Sequence, residues 1–160
     1  MLRSFLLLVF ILLGYSVSWA SPNNFQQRGE ATFRWFGIPV YDARLFTPGG
    51  AALNWQQDLT LELTYRRALA RQSLIDSTQS EMQRLGYTRP QDADLQSCFR
   101  NVRPGDTFRA QTEGADQLRL YLNGAEVCRL AQPDIRRGFM SIFLSDNSRA
   151  PNVSRHLRNE

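Results

Sequence analysis

Asp58-Leu59-Thr60-Leu61-Glu62-Leu63-Thr64-Tyr65 alternates almost without fault, placing Leu59, Leu61, Leu63 and Tyr65 on one face and Thr60, Glu62 and Thr64 on the other. A period of two marks a strand half-buried against a core. Shortly afterwards the period changes. Leu74, Ile75, Thr78, Met82 and Leu85 recur at helical spacing, Ser73 and Asp76 are spaced for a capping box, and Gly86 stands where a left-handed residue ends a helix. A strand with one apolar face, followed by a helix with one apolar face, predicts a sheet covered by helices.

On the N-terminal side, Glu30 to Phe36 is rich in aromatic and β-favouring residues, and Gly37-Ile38-Pro39 breaks it. Val40 to Phe46 resumes in an extended pattern that Thr47-Pro48-Gly49-Gly50 ends, so two strands joined by a turn fit best. On the C-terminal side, Pro90 sets off a second short helix with Leu95, Cys98, Phe99 and Val102 on one face, closed by Arg103-Pro104-Gly105. Asp106 to Gln111 reads as a strand. Asp116 to Leu122 and Ala125 to Leu130 flank Asn123-Gly124, the dipeptide best suited to a two-residue type I′ turn. In such a hairpin Leu122 faces Ala125, Leu120 faces Val127 and Arg119 faces Cys128, which puts Cys128 on the face away from the leucines. Ile135, Phe139, Ile142 and Phe143 repeat at helical spacing, and Pro151 opens a last helix through Leu157. Strands and helices are too segregated for a parallel βαβ fold. The expected fold class is α+β, an antiparallel sheet with helices packed on one face.

The chain opens with Met1-Leu2-Arg3-Ser4, an unbroken apolar run from Phe5 to Leu13, and small and polar residues ending in Ser18-Trp19-Ala20. That order reads as a signal peptide over residues 1–20, cut after Ala20, and hence as a periplasmic or secreted protein. The run falls short of the roughly 20 residues that span a bilayer, the alternative being an uncleaved anchor stretching to Trp19. No comparable hydrophobic segment follows, so no transmembrane segment is expected after cleavage. Ser21 to Gln27 is polar and unpatterned, a flexible leader before a single domain over residues 28–160. All nineteen basic side chains are Arg, scattered among fifteen acids, for a formal charge of +4. Scattered charge on an exported chain argues against a nucleic-acid partner.

Cys98 and Cys128 lie in a chain read as bound for an oxidising compartment, where a disulfide between them would stabilise by roughly 3 kcal/mol. Two buried free thiols are the other reading. The one histidine, His156, stands in the last turn of the chain, so neither a catalytic triad nor a histidine-based metal site is supported. No Gly-rich loop precedes a helix, and no cofactor is expected. The remaining chemistry lies in polar residues within apolar strands, Arg34, Tyr41, Asp42, Arg44, Tyr65 and Tyr121. A guanidinium or phenol in an apolar cleft can fix a carboxylate or enolate oxygen. Alternatively these are solvent-face groups or a structural pair, and Asp42 and Arg44, two apart on one strand face, favour pairing with each other.

Gly29 to Phe46, containing Val40-Tyr41-Asp42-Ala43-Arg44-Leu45-Phe46, resembles the opening of bacterial chalcone isomerase-like domains. Leu61-Glu62-Leu63-Thr64-Tyr65, Pro104-Gly105-Asp106, Tyr121-Leu122-Asn123-Gly124 and Phe139 to Leu144 are similar to later motifs of that family, in the same order, with Arg149 to Leu157 at its final short helix. The resemblance implies an open-faced β-sandwich with a cleft between sheet and helices. In that cleft the plant enzymes close a chalcone to a flavanone, and related non-catalytic members hold fatty acids. It also implies a site. The enzymes use an arginine on the first strand, a threonine or tyrosine on the next, and tyrosine and asparagine from the helical layer. Tyr41 falls at the second position, Tyr87 approximates the helical tyrosine, and no asparagine matches. Thr32 stands where the arginine is expected, between Arg28 and Arg34. The candidate ligand-binding residues are therefore Arg34, Tyr41, Arg44, Tyr65 and Tyr87.

Three functions fit these residues. One is a non-catalytic binder of a small apolar acid or lipid, with a fatty acid or aromatic molecule as partner. Another is an isomerase (intramolecular lyase) acting on an α,β-unsaturated ketone. The third is a cell-envelope accessory protein whose partner is another protein.

Overall fold

The computed structural model describes residues 24–160, so the expected signal segment and its cut lie outside the described residues. Six strands pair antiparallel in sequence order: β1 (Phe25–Trp35), β2 (Ile38–Pro48), β3 (Thr60–Tyr65), β4 (Thr107–Glu113), β5 (Gln117–Leu122) and β6 (Ala125–Ala131). Four helices, α1 (Arg71–Arg84), α2 (Asp92–Cys98), α3 (Ile135–Leu144) and α4 (Pro151–Arg158), cover one face. Among the described residues no helix is long and apolar enough to cross a membrane.

Register explains which face is covered. Ala43, Leu63, Phe108 and Leu122 form one row across the sheet, and Leu45, Leu61, Ala110, Leu120 and Cys128 form the next. Apart from the partly buried Leu122 and Cys128, these side chains are buried, together with Ile75, Met82, Leu95, Ile135, Phe139, Met140, Leu144 and Leu157 of the helices. At about 25 cal/mol per Å2 of apolar surface removed from water, this seam is the main force holding the two layers together. The other face carries Arg44 against Glu62 and Arg109 over the Tyr121 ring at 4.4 Å. It also carries Arg119 and Arg129 against Glu113 and Glu126. The sandwich is open because that face is charged.

Several local expectations are corrected. The first hairpin is longer than its pattern suggests, and Phe25, Gln26 and Gln27, read as loose leader, are the start of β1, with Phe25 opposite Pro48. The α1 N-cap is Ala70, and Ser73 and Asp76 make no capping box. The Arg71 N–H instead donates to Asn101 Oδ1 at 2.9 Å, a cap supplied from beyond α2. Phe99 and Val102, assigned to the apolar face of α2, lie past its end, and Val102 bridges to Leu69. In the second hairpin Asn123 (φ 50°) and Gly124 (φ 84°) form the expected turn, but a bulge between Leu120 and Tyr121 shifts the register by one. Cys128 therefore faces Leu120, not Arg119, and lies on the helix-covered face. There it is joined to Cys98 at the end of α2 by a disulfide, with Cα atoms 5.1 Å apart.

The helical layer is pinned at its other edge by close backbone contact. A Cβ on Gly29 would lie 2.4 Å from the carbonyl oxygens of both His156 and Leu157, so only glycine lets α4 sit on β1. Beside it, Arg28 Nε donates to the Arg158 carbonyl at 2.8 Å, placing a cation at the C-terminus of that helix.

Two outcomes follow from these anchors. Replacing Cys98 and Cys128 by Ala should lower unfolding free energy by about 3 kcal/mol, read by urea denaturation. Gly29→Ala should cost roughly 2 kcal/mol or more, since α4 has to shift away from the new methyl group. If Gly29→Ala unfolds like the parent, the α4–β1 contact is not a tight one.

Candidate functional site

At the end of the sheet marked by Trp35, Ile38 and Tyr65, the two layers do not close on each other. A cavity of about 330 Å3 lies between them, near the lower end of the roughly 300–1,000 Å3 usual for small-molecule sites. Its floor is Phe33, Val40, Tyr41, Leu63, Tyr65 and Phe108 from the sheet. Its roof is Leu74, Ser77, Thr78 and Glu81 of α1, Phe139, Ile142 and Phe143 of α3, and Val153 and Leu157 of α4. Trp35, Arg67 and Arg149 also belong to the lining.

The floor is shaped by aromatic rings. Tyr41 stacks on Phe33 with centroids 5.0 Å apart and meets Tyr65 and Phe143 edge-on, each at 6.3 Å. Phe143 in turn packs on Phe139 at 5.8 Å. Rings locked in such contacts cannot collapse into the space beside them, whereas flexible aliphatic chains could. Burial pushes the Tyr41 and Tyr65 phenols well above their usual range. For Tyr41 the proximity of Tyr65 adds to this, and the Arg149 charge opposes it. Both phenols are therefore neutral at physiological pH and can donate or accept a hydrogen bond to a ligand oxygen.

The charged part of the lining comes from helices and loops. Glu81 is buried on the inner side of α1 and accepts from Arg84 Nη2 at 2.7 Å and from Arg149 Nη2 at 2.5 Å. Burial alone would raise its carboxyl pKa, but the hydrogen bonds and charges of the two arginines outweigh burial and hold it below the usual range. Arg149, in the loop between α3 and α4, also stacks over the Trp35 ring at 5.5 Å and is 41% exposed. It bridges the wall at Glu81 and the lip at Trp35. A second guanidinium, Arg67, lines the cavity and is exposed. Arg149, bonded to Glu81 but partly exposed, and Arg67, which takes no part in that pair, both stand at the entrance of an apolar chamber, an arrangement suited to an amphipathic anion with its tail inside.

Of the sequence-derived candidates, Tyr41 and Tyr65 line the cavity, while Arg34, Arg44 and Tyr87 do not. Arg34 is exposed and donates to the Gly37 carbonyl at 3.2 Å. Arg44 lies on the uncovered face with Glu62, and Asp42 pairs with Arg66 at 2.6 Å, so the expected Asp42–Arg44 pair is not formed. Cross-strand neighbours are closer than residues two apart on one strand, which is why each took a partner on β3 or just beyond it. Tyr87 packs against Gly138 of α3 and lines a separate surface depression with Trp55 and Ser145. Glu81 and Arg149 were missed. Glu81 could have been found, since it stands seven residues after Leu74 and three after Thr78 on the buried helix face, where a carboxylate demands a cation. Arg149 sits in a loop two residues before Pro151 and carries no such signal.

No protein-family model and no curated protein sequence matches this chain. Among solved structures it is similar to a fatty-acid binding protein of Arabidopsis thaliana, with a TM-score of 0.64 and 12% identity over 88% of this chain and 89% of that one. At that identity the likeness concerns the fold. The chain thus has the chalcone isomerase-like fold, an α+β open-faced β-sandwich of a six-stranded antiparallel sheet and four helices.

Proposed function

We propose that this chain is an exported, non-catalytic binding protein for a small apolar acid or lipid. The observation that carries the proposal is the apolar cavity between sheet and helices, with Arg149 and Arg67 at its entrance and two neutral phenols on its floor. An acyl chain would lie against Phe33, Leu63, Phe108 and Phe139 while its carboxylate meets Arg149. Fatty-acid binding by the Arabidopsis neighbour supports the ligand class. A signal-peptide reading of residues 1–20 and a disulfide, a bond that persists in oxidising compartments, support export.

An isomerase acting on an α,β-unsaturated ketone is favoured by one observation, that Tyr41 and the Arg149 guanidinium line the same cavity. Against it, that guanidinium is bonded to Glu81 and Tyr41 is held neutral, so no basic phenolate is in place to take a proton. The envelope-partner reading does not require a cavity at all.

Titrating the protein with saturated fatty acids of increasing length should show affinity rising about fourfold per methylene, the ~0.8 kcal/mol of each buried CH2, until the cavity is full. Affinity independent of length would contradict an enclosed tail. Arg149→Ala should weaken a fatty acid by roughly tenfold or more, the worth of one charge-assisted hydrogen bond, and leave its methyl ester almost unaffected. Equal losses for acid and ester would remove Arg149 from carboxylate recognition.

A further inference from the structure

The two hairpins of this chain solve the same turn with different residues. Asn123-Gly124 uses the pair that tolerates two left-handed positions, whereas the β1–β2 turn sets Phe36 (φ 48°) and Gly37 (φ 78°) there. A phenylalanine in the left-handed region is unfavourable, and Phe36 gains no burial in return, being 88% exposed. Trp35 beside it is 49% exposed and Ile38 48%, with the Trp35 and Phe36 rings 5.1 Å apart, edge to face. Neither local propensity nor core packing accounts for three large apolar side chains on one turn.

Their surroundings are cationic. Arg34 bonds the turn at the Gly37 carbonyl, Arg149 lies over Trp35, and Arg66 donates its backbone N–H to Val40 at 2.8 Å, with Arg67 next in the chain. Asp42 and Glu81 engage Arg66 and Arg149, while Arg34 and Arg67 have no ion-pair partner among the described residues. Aromatic side chains at a projecting tip, ringed by excess arginine, match the two components of an anionic bilayer surface: an apolar boundary layer that accepts Trp and Phe, and negative headgroups above it. Trp35 is at once part of this tip and part of the cavity lining.

We propose that the β1–β2 hairpin tip is a docking device for anionic phospholipid membranes, seating Phe36, Trp35 and Ile38 at the headgroup boundary and bringing the cavity entrance onto the bilayer. That the ligand is then taken from or delivered to the membrane rests on the lipid-binding reading; the docking itself does not.

Flotation of protein collected from an exporting bacterial host, with vesicles of phosphatidylglycerol and phosphatidylethanolamine or of phosphatidylcholine alone, tests the proposal. The parent should partition to the anionic vesicles, less so at high salt, and only weakly to phosphatidylcholine. Phe36→Asn places the preferred residue in the turn, so Tm should be unchanged or higher while partitioning falls by about tenfold or more. Arg34→Glu should lower partitioning by roughly tenfold or more, on anionic vesicles only. Fatty-acid affinity of Phe36→Asn, measured without vesicles, should equal that of the parent. Parent-like partitioning of Phe36→Asn, or no preference of the parent for anionic vesicles, overturns the docking surface. So does a parent dimer that Phe36→Asn converts to monomer, since the tip would then be a protein interface. If vesicle binding fails while fatty-acid binding persists, only the docking falls. If fatty-acid binding fails while docking persists, the ligand reading falls and the docking surface stands.

Discussion

The apolar face of the sheet must be kept from water, and nearly every other feature of the molecule answers that constraint. Leu45, Leu59, Leu61, Leu118 and Leu120 are fully covered by α1 to α4, and the cover is fastened at both edges. On one side the Cys98–Cys128 disulfide ties α2 to β6, and on the other α4 lies on Gly29 of β1. Between these anchors the leucine rows give way, at one end of the sheet, to Phe33, Tyr41 and Tyr65. Rings fixed in stacked and edge-on contacts do not spread to fill the remaining volume, and the cavity is the result.

The electrostatics of the cavity separate its two possible uses. A proton-transfer enzyme needs a group poised to gain or lose charge near neutral pH. Here the phenols are pushed towards permanent neutrality, and Glu81 is held ionised by Arg84 and Arg149. Groups fixed in one protonation state are suited to holding a ligand oxygen and poorly suited to exchanging protons with it. The shared arginine is the exception. Arg149 can keep Glu81 as its partner and still present part of its guanidinium to an incoming carboxylate, with Arg84 left to neutralise Glu81 if the bond loosens.

Much of the fold was legible because burial writes a period into the sequence. The alternation of β3, the helical spacing of α1 and α3, Asn123-Gly124 and Pro151 each placed an element correctly. What escaped was decided by single residues acting across the fold. The bulge beside Leu120 moves Cys128 to the inner face, and no pattern in β5 or β6 announces it. Asn101 caps α1 in place of Ser73. Phe25 to Gln27 join a strand because Thr47 and Pro48 offer a partner, although their own composition is that of a leader. The site was half legible for the same reason. Tyr41 and Tyr65 face inward by the period of their strands, and the same period sends Arg44 outward. Charged residues from helices and loops, such as Arg149, reach the site only through tertiary packing.

Whether the chamber is filled in the cell bears most directly on a binding role. Native mass spectrometry of protein collected from an exporting host, followed by solvent extraction, reads its content without assuming a ligand. A co-purifying apolar acid or lipid, lost when the cavity is blocked by Leu63→Trp, is the result expected. A clean apo mass from both the parent and the variant would contradict a ligand-binding role for the cavity.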